Sequence, residues 1–271
     1  MIKKIIDIYI IRSYAFICKV YQLITTIYEN QFLKIKTPEK QFINQANFKL
    51  LINEDIISEK IRNAKVTKVN DFLNIRLLNN NQINDLIRSI FTKTLRAKIT
   101  EITGFNFSID FLIFYERKYI PNKKRNIPTL NQAYSYRWHF DKPNSSNMLK
   151  IFVPIDVEND SGPLEVINKK DSKKIKLVKG FHKSFKKVFF KGRGNIMYGF
   201  YPTLCCHRDG IPNKNVCANQ IMFQLNPYKN WVINKRIFSK KNNFKNKIGI
   251  WTTEPKFPHI SYMFNDRFSL D

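Results

Sequence analysis

From Phe107 to Leu225 the chain is a succession of short β-branched and aromatic runs, and these constrain the kind of core it can form. FSIDFLIFYERKY (107–119), YSYRWHFD (134–141), MLKIFVPIDV (148–157), PLEVI (163–167), KIKLV (174–178), NIMYGFY (195–201) and NQIMFQL (219–225) have the length and composition of strands. Turns rich in Asn, Gly, Pro and Lys separate them. The first run reads as a buried strand. Ahead of it, residues 1–104 read as mainly helical. Residues 80–101 place Ile83, Leu86, Ile87, Ile90, Leu95 and Ile99 at helical spacing, with Asn79 to Asn81 available as a cap. Ile5–Tyr28 and Asn53–Ala64 are further helical readings. The order predicts an α+β chain of one domain: an N-terminal helical part (1–104) laid on a jelly-roll or barrel core (105–227). A basic C-terminal extension (228–271) holds Trp231 and Trp251 and has no firm period.

At 271 residues, with 43% hydrophobic and 14% aromatic residues, the chain can bury a large core, and global disorder is excluded. Its charge is extreme, with 47 Lys+Arg against 21 Asp+Glu for a net +26. Such a balance suits a polyanion, either nucleic acid or an anionic membrane face. Lys, Asn and Ile are abundant together, as compositional drift also produces, and the lysines are scattered rather than clustered. Nucleic acid is therefore a lesser expectation than a small-molecule or carrier-bound substrate.

Cys18, Cys205, Cys206 and Cys217 are too few and too irregular for a disulfide framework, which suggests a reducing compartment. Met1–Tyr28 is rich in Ile, Tyr and Leu, but Lys3, Lys4, Asp7, Arg12 and Lys19 interrupt it, so a spanning helix is not expected. The segment is expected to pack on its own domain, with peripheral membrane contact as the alternative, and the protein to be cytoplasmic.

Chemistry points to the histidines. His139 and Asp141 form His-x-Asp in YRWHFDKP, and a strand of period two projects both from one face. His207 follows 66 residues after Asp141, in LCCHRDGIPN. Two imidazoles and one carboxylate are the ligand set of the facial triad, which holds Fe(II) and leaves positions open for a chelating cosubstrate and O₂. By itself His-x-Asp is common, and a surface ion pair is its ordinary explanation. A zinc cluster of Cys205, Cys206, His207 and Cys217 is disfavoured, because adjacent cysteines on an extended chain point to opposite faces and no C-x₂-C pair is present. His182 and His259 have no partner pattern, and there is no P-loop, dinucleotide fingerprint or Gly-x-Ser-x-Gly elbow.

The ordered set of aromatic-His-x-Asp, hydrophobic strand, NDSGPLEVI, and GRGNIMYGFYPTLCCHRDGIPN resembles the phytanoyl-CoA dioxygenase-like family of Fe(II)/2-oxoglutarate-dependent oxygenases over residues 105–227. The resemblance implies a double-stranded β-helix (cupin-like) core, Fe(II) held by His139, Asp141 and His207, and 2-oxoglutarate as cosubstrate. Related halogenases lack the carboxylate, so with Asp141 present the resemblance implies hydroxylation or a related oxidation of a small or carrier-bound substrate. The sequence departs from the family in two places. No arginine lies between Arg208 and Arg236, although members place one about a dozen residues after the distal His to pair with 2-oxoglutarate. Gln220 or Asn219 sits nearest that place, and Arg137, Lys150 and Lys214 are the cations that could replace it. The family's Pro-Gly-Ser-His is replaced by NKKDSKK (168–174). Arg208 is expected to point away from His207 into a surface ion pair, with Tyr134, Tyr136 and Trp138 filling core. Two alternatives stay open: an oxygenase directed at nucleic acid, and a non-catalytic jelly-roll protein that keeps the metal residues.

Overall fold

The structure, a computed structural model, describes residues 16–17, 19–53, 61, 63–125, 135–141, 145–178, 185–238 and 267–270. Tyr134, His182, Trp251, His259, Cys18 and most of Asn53–Ala64 lie outside these residues.

Among the described residues, twelve strands form two sheets. They are β1 (Asn47–Leu51), β2 (Lys65–Asn70), β3 (Leu73–Leu77), β4 (Asn106–Lys118), β5 (Leu149–Asp156), β6 (Leu164–Ile167), β7 (Lys187–Phe190), β8 (Ile196–Phe200), β9 (His207–Arg208), β10 (Cys217–Tyr228), β11 (Val232–Asn234) and β12 (Arg267–Ser269). The large sheet runs β1-β8-β5-β10-β4-β11-β12, with β3 also on β4 and β2 on β3. The small sheet is β7-β6-β9, extended by a bridge from His207 to His139. From β5 onward the chain passes from the large sheet to the small one and back, twice. That alternation, with β8-β5-β10-β4 facing β7-β6-β9, is a jelly roll.

The two faces of the large sheet do different jobs. On one, Phe223 of β10 meets Phe91 edge-on (centroids 5.1 Å), and Phe107 of β4 packs on Trp231 (5.5 Å). Phe91 closes the helix Asn80–Ile90, and a second helix, Lys93–Thr103, follows. The other face looks into the barrel, where Phe190 of β7 stacks on Tyr198 of β8 (4.3 Å) and touches Phe152 of β5 (6.0 Å). Cover on both sides explains why β4, β5 and β10 read as nearly continuous apolar runs.

The core strands at 107–119, 148–157, 163–167, 195–201 and 219–225 all form, within a few residues of the expected limits. KIKLV does not, and the strand reading there is corrected. Residues Lys169–Val178 are helical because Asn168 caps the turn, its Oδ1 accepting from Asp171 N at 2.9 Å, and Ser172 anchors it through Ile167 O at 3.0 Å. The run 134–141 is not a regular strand either. Ser135 takes a positive φ of 51° and only His139 makes a ladder contact. The continuous helix expected over 80–101 breaks at Phe91 and Thr92, where Thr92 caps the second helix through Leu95 N. Asn79 caps the first, as expected, and Gln82 completes a capping box with it. Three strands, β1 to β3, occupy residues 47–77 within the part read as mainly helical. Residues 19–28 are helical as expected; Gln22 and Thr26 hydrogen-bond Ser146 on the domain, while Leu23, Ile24 and Ile27 face solvent. Among the described residues no helix is long and apolar enough to cross a membrane.

Candidate metal centre

His139 and His207 face each other across the small sheet as a directly bonded antiparallel pair. Each backbone N–H donates to the other's carbonyl at 3.0 Å. Such opposed residues project from one face, and their rings lie 4.3 Å apart. Ser172 holds the approach to His207 by accepting from Cys206 N at 2.8 Å, and Ile167 N donates to Cys206 O at 2.9 Å. Asp141 is drawn in by its own N–H, which donates to Pro202 O at 3.1 Å. The motif Gly-Pro-Leu has a steric role here. Gly162 sits at φ +61°, and a Cβ on it would lie 2.4 Å from the Ile211 carbonyl carbon, so glycine lets the segment after His207 close on β6.

Ligating atoms of His139, Asp141 and His207 all lie within 4.8 Å of one another. The ring nitrogens define how they can be used. His139 Nδ1 is 2.8 Å from Arg137 O, and His207 Nδ1 is 3.0 Å from Cys205 O. A carbonyl only accepts, so each Nδ1 carries a proton and each neutral ring keeps its lone pair on Nε2. Both Nε2 atoms lie 3.4 Å from Asp141 Oδ1. Three electron-pair donors aimed at one point repel each other unless a cation sits among them. Backbone carbonyls on the far nitrogens are also what orients histidines that bind metal. The donor set therefore fits a divalent ion at the usual N and O distances of about 2.0–2.2 Å.

Electrostatics agree with that use at Asp141 and His207. Burial works to raise the Asp141 pKa, but Lys150 and the two imidazoles outweigh it and hold the carboxyl well below the usual range. Burial, with His139 beside it, lowers His207 and favours the neutral ring a ligand needs. For His139 burial pulls downward, yet the Asp141 hydrogen bond and charge leave it raised. Lys150 Nζ sits 2.5 Å from Asp141 Oδ2, so the carboxylate presents Oδ1 alone to the histidines. Phe200 closes the floor edge-on to His207 at 4.9 Å.

The cations and amides expected near a cosubstrate are placed as follows. Lys150 is in the barrel but engaged with Asp141. Arg137 is exposed, and only its carbonyl reaches the site, because the irregular backbone from Ser135 breaks the period-two alternation. Lys214 is exposed in the loop after His207. Gln220 is fully buried on the barrel face of β10, with its amide on the Tyr115 hydroxyl and Asp209 Oδ1 (3.4 Å). Arg208 points away from His207, as expected, and binds Glu165 through Nε (2.8 Å) and Nη2 (2.6 Å) with its face over Trp138. Tyr136 is buried with Phe72 and Ile120. Cys205 and Cys206 are buried and Cys217 exposed, and His139-Asp141-His207 is the one metal-type cluster among the described residues.

Arg117 is the residue that sequence reasoning missed. It is fully buried on β4, directly opposite Ala218 of β10, on the barrel face it shares with Gln220. Its Nη1 donates to Gly210 O at 2.5 Å and lies 3.6 Å from Asp209 Oδ1, while Nη2 donates to Gln220 Oε1 at 3.4 Å. It thereby holds the segment just after His207, since Asp209 and Gly210 lie two and three residues beyond that histidine.

No family model matches the sequence, and no curated protein matches it. Among solved structures, EctD from S. alaskensis in its apoform is similar at a TM-score of 0.47 and 10% identity, over 70% of this chain and 77% of that one. The non-heme alpha ketoglutarate dependent epimerase SnoN from nogalamycin biosynthesis is similar at 0.46 and 12%, over 69% and 79%. HygX from Streptomyces hygroscopicus, with nickel and 2-oxoglutarate bound, is similar at 0.45 and 9%, over 71% and 88%. Likeness at this level adds nothing about chemistry to what the strand order and the three donors already say.

Proposed function

We propose that the chain is an Fe(II)/2-oxoglutarate-dependent oxygenase of the phytanoyl-CoA dioxygenase-like kind, hydroxylating a small or carrier-bound organic molecule. One observation carries the reading: two Nε2 lone pairs and one carboxylate oxygen converge in a buried jelly-roll interior, with both Nδ1 atoms tied to carbonyls. Iron there would supply oxygen activation, so that C–H, O₂ and 2-oxoglutarate become C–OH, succinate and CO₂.

The chain's own residues would do the rest. His139, His207 and Asp141 Oδ1 hold the ion on one side and leave the opposite side open. Lys150 keeps Asp141 anionic and limits it to one oxygen. Arg117 stands where the missing arginine matters most, because Ala218 is eleven residues beyond His207 and Arg117 is its cross-strand partner. A guanidinium brought from β4 supplies the positive fork that β10 lacks, and a fork suits a carboxylate better than an amide does. This favours an active oxygenase over a protein that has lost its cosubstrate.

Anaerobic titration with Fe(II) and 2-oxoglutarate should give a visible charge-transfer absorption that His139→Ala abolishes. Aerobic incubation should release succinate. Absence of the band in the unaltered protein would remove the proposal.

A further inference from the structure

A cavity of about 290 Å³ opens at the end of the barrel away from Arg117. Its walls include Tyr21, Tyr28 and Glu29 from the N-terminal helical segment, Asp110 on β4, and Asn226 and Tyr228 on β10. Asn226 shares a strand face with Gln224, two residues earlier, and Gln224 lies opposite Lys150, the residue bound to Asp141. The cavity thus begins one strand repeat, about 7 Å, beyond the level of Lys150. On the oxygenase reading this is the substrate side of the metal.

The two acids in its wall are not alike. Asp110 is committed on both oxygens: Oδ1 accepts from Ser108 Oγ and Asn234 Nδ2 (2.8 Å each), and Oδ2 accepts from Asn226 Nδ2 (2.7 Å). Arg267 adds a nearby positive charge. Glu29 is 4% exposed, and its Oε2 accepts from the Ser145 hydroxyl and from Asn147 Nδ2 at 3.0 Å. Among the described residues nothing donates to its Oε1 and no cationic side chain pairs with it. A buried carboxylate with one oxygen uncommitted and no counter-charge costs stability unless a ligand completes it. The rings of Tyr21 and Tyr28 stand beside that oxygen's cavity, and aromatic faces attract a desolvated cation.

We infer that Glu29 receives a cationic, amine-bearing group of the molecule that this cavity binds. Calling that molecule the substrate rests on the oxygenase reading; the amine site itself does not. The wall also holds two cations, and neither converts the cavity into an anion site: Lys229 is exposed at the rim, and Arg267 lies over the Tyr228 ring (4.6 Å), donates to Ser108 Oγ and is balanced by Asp110.

The test uses three probes of one length: hexylammonium, 1-hexanol and hexanoate, titrated calorimetrically into the metal-free full chain. Hexylammonium is expected to bind at least tenfold more tightly than hexanol. Glu29→Gln, which keeps an acceptor for Ser145 and Asn147, is expected to reduce hexylammonium to the level of hexanol. Equal binding of the three, preference for hexanoate, or full retention of amine binding by the variant would overturn the inference. The same amine added to the anaerobic iron and 2-oxoglutarate complex should shift its absorption band. A band that saturating amine leaves unmoved overturns the placement beside the metal. Amine selectivity without any band overturns the oxygenase reading and leaves the amine site standing.

Discussion

Replacing Glu29 by glutamine isolates the thermodynamic cost of burying its charge, and the structure sets the size of that cost. Desolvation pushes the Glu29 pKa from an ordinary 4.5 up to about 7, and the Ser145 and Asn147 hydrogen bonds only partly oppose it. At about 1.4 kcal/mol per pKa unit, the rise corresponds to about 3 kcal/mol. The sign follows from proton counting. Between pH 4.5 and about 7 the native state holds a proton that the unfolded chain has released. Stability contributed by this group is therefore fully present below 4.5 and is lost as pH rises through about 7. The neighbours do not blur the signal, because burial raises the Tyr21 and Tyr201 phenols and keeps both protonated in this range. Urea unfolding of the two proteins from pH 4.5 to 8 should show the unaltered chain losing about 3 kcal/mol relative to Glu29→Gln, most of it between pH 5 and 7. Every other carboxylate cancels in that difference. Parallel curves across the range would mean that Glu29 is solvated or paired, and the reasoning about its cavity would be wrong with it.

Two further substitutions probe the barrel. Arg117→Lys keeps the charge but loses the planar fork, so 2-oxoglutarate affinity measured on the Ni(II)-loaded protein should fall at least tenfold, about 1.4 kcal/mol, with Ni(II) affinity unchanged. Undiminished 2-oxoglutarate binding would take Arg117 out of the site. Gly199→Ala tests the seat of β1 on β8: an added Cβ would meet Phe48 Cζ at 2.2 Å, and overpacking of this kind costs about 1–3 kcal/mol. Loss of stability by denaturant unfolding, recovered in the double variant with Phe48→Leu, is the expected outcome, and a neutral Gly199→Ala would contradict the packing of Phe48 over that glycine.

The core was legible in the sequence where one local rule dominated. β4, β5, β8 and β10 are long enough in apolar residues that no other element competes, and the asparagines at 79 to 81 mark a helix start that Asn79 supplies. KIKLV shows the opposite case. Its alternation of Lys with Ile and Leu satisfies the strand pattern, yet Asn168 and Ser172 lie upstream and the helix starts from them. Residues 47–77 misled for another reason. β1 owes its existence to pairing with β8, far away in sequence, and the hairpin of β2 with β3 is seated by the pairing of β3 with β4. Where a segment's conformation is set by what it pairs with, its own composition underdetermines it.

The candidate site divides along the same line. His139, Asp141 and His207 were readable because their residue types and order are unusual, although the argument that brought them together was only half right. A regular strand over 134–141 would put His139 and Asp141 on one face, but the chain there is irregular. What unites them is the mutual bond of His139 with His207 and the anchoring of Asp141 N on Pro202 O. Arg117 could not be read at all by counting forward from His207, since a search along β10 ends at Ala218 and finds no charge. An antiparallel pair makes Arg117 the neighbour of Ala218 across 101 residues of sequence, so a cation on either strand presents to the same interior point. A motif that demands a positive charge at a place in the barrel is a statement about register, and register is what a linear scan discards.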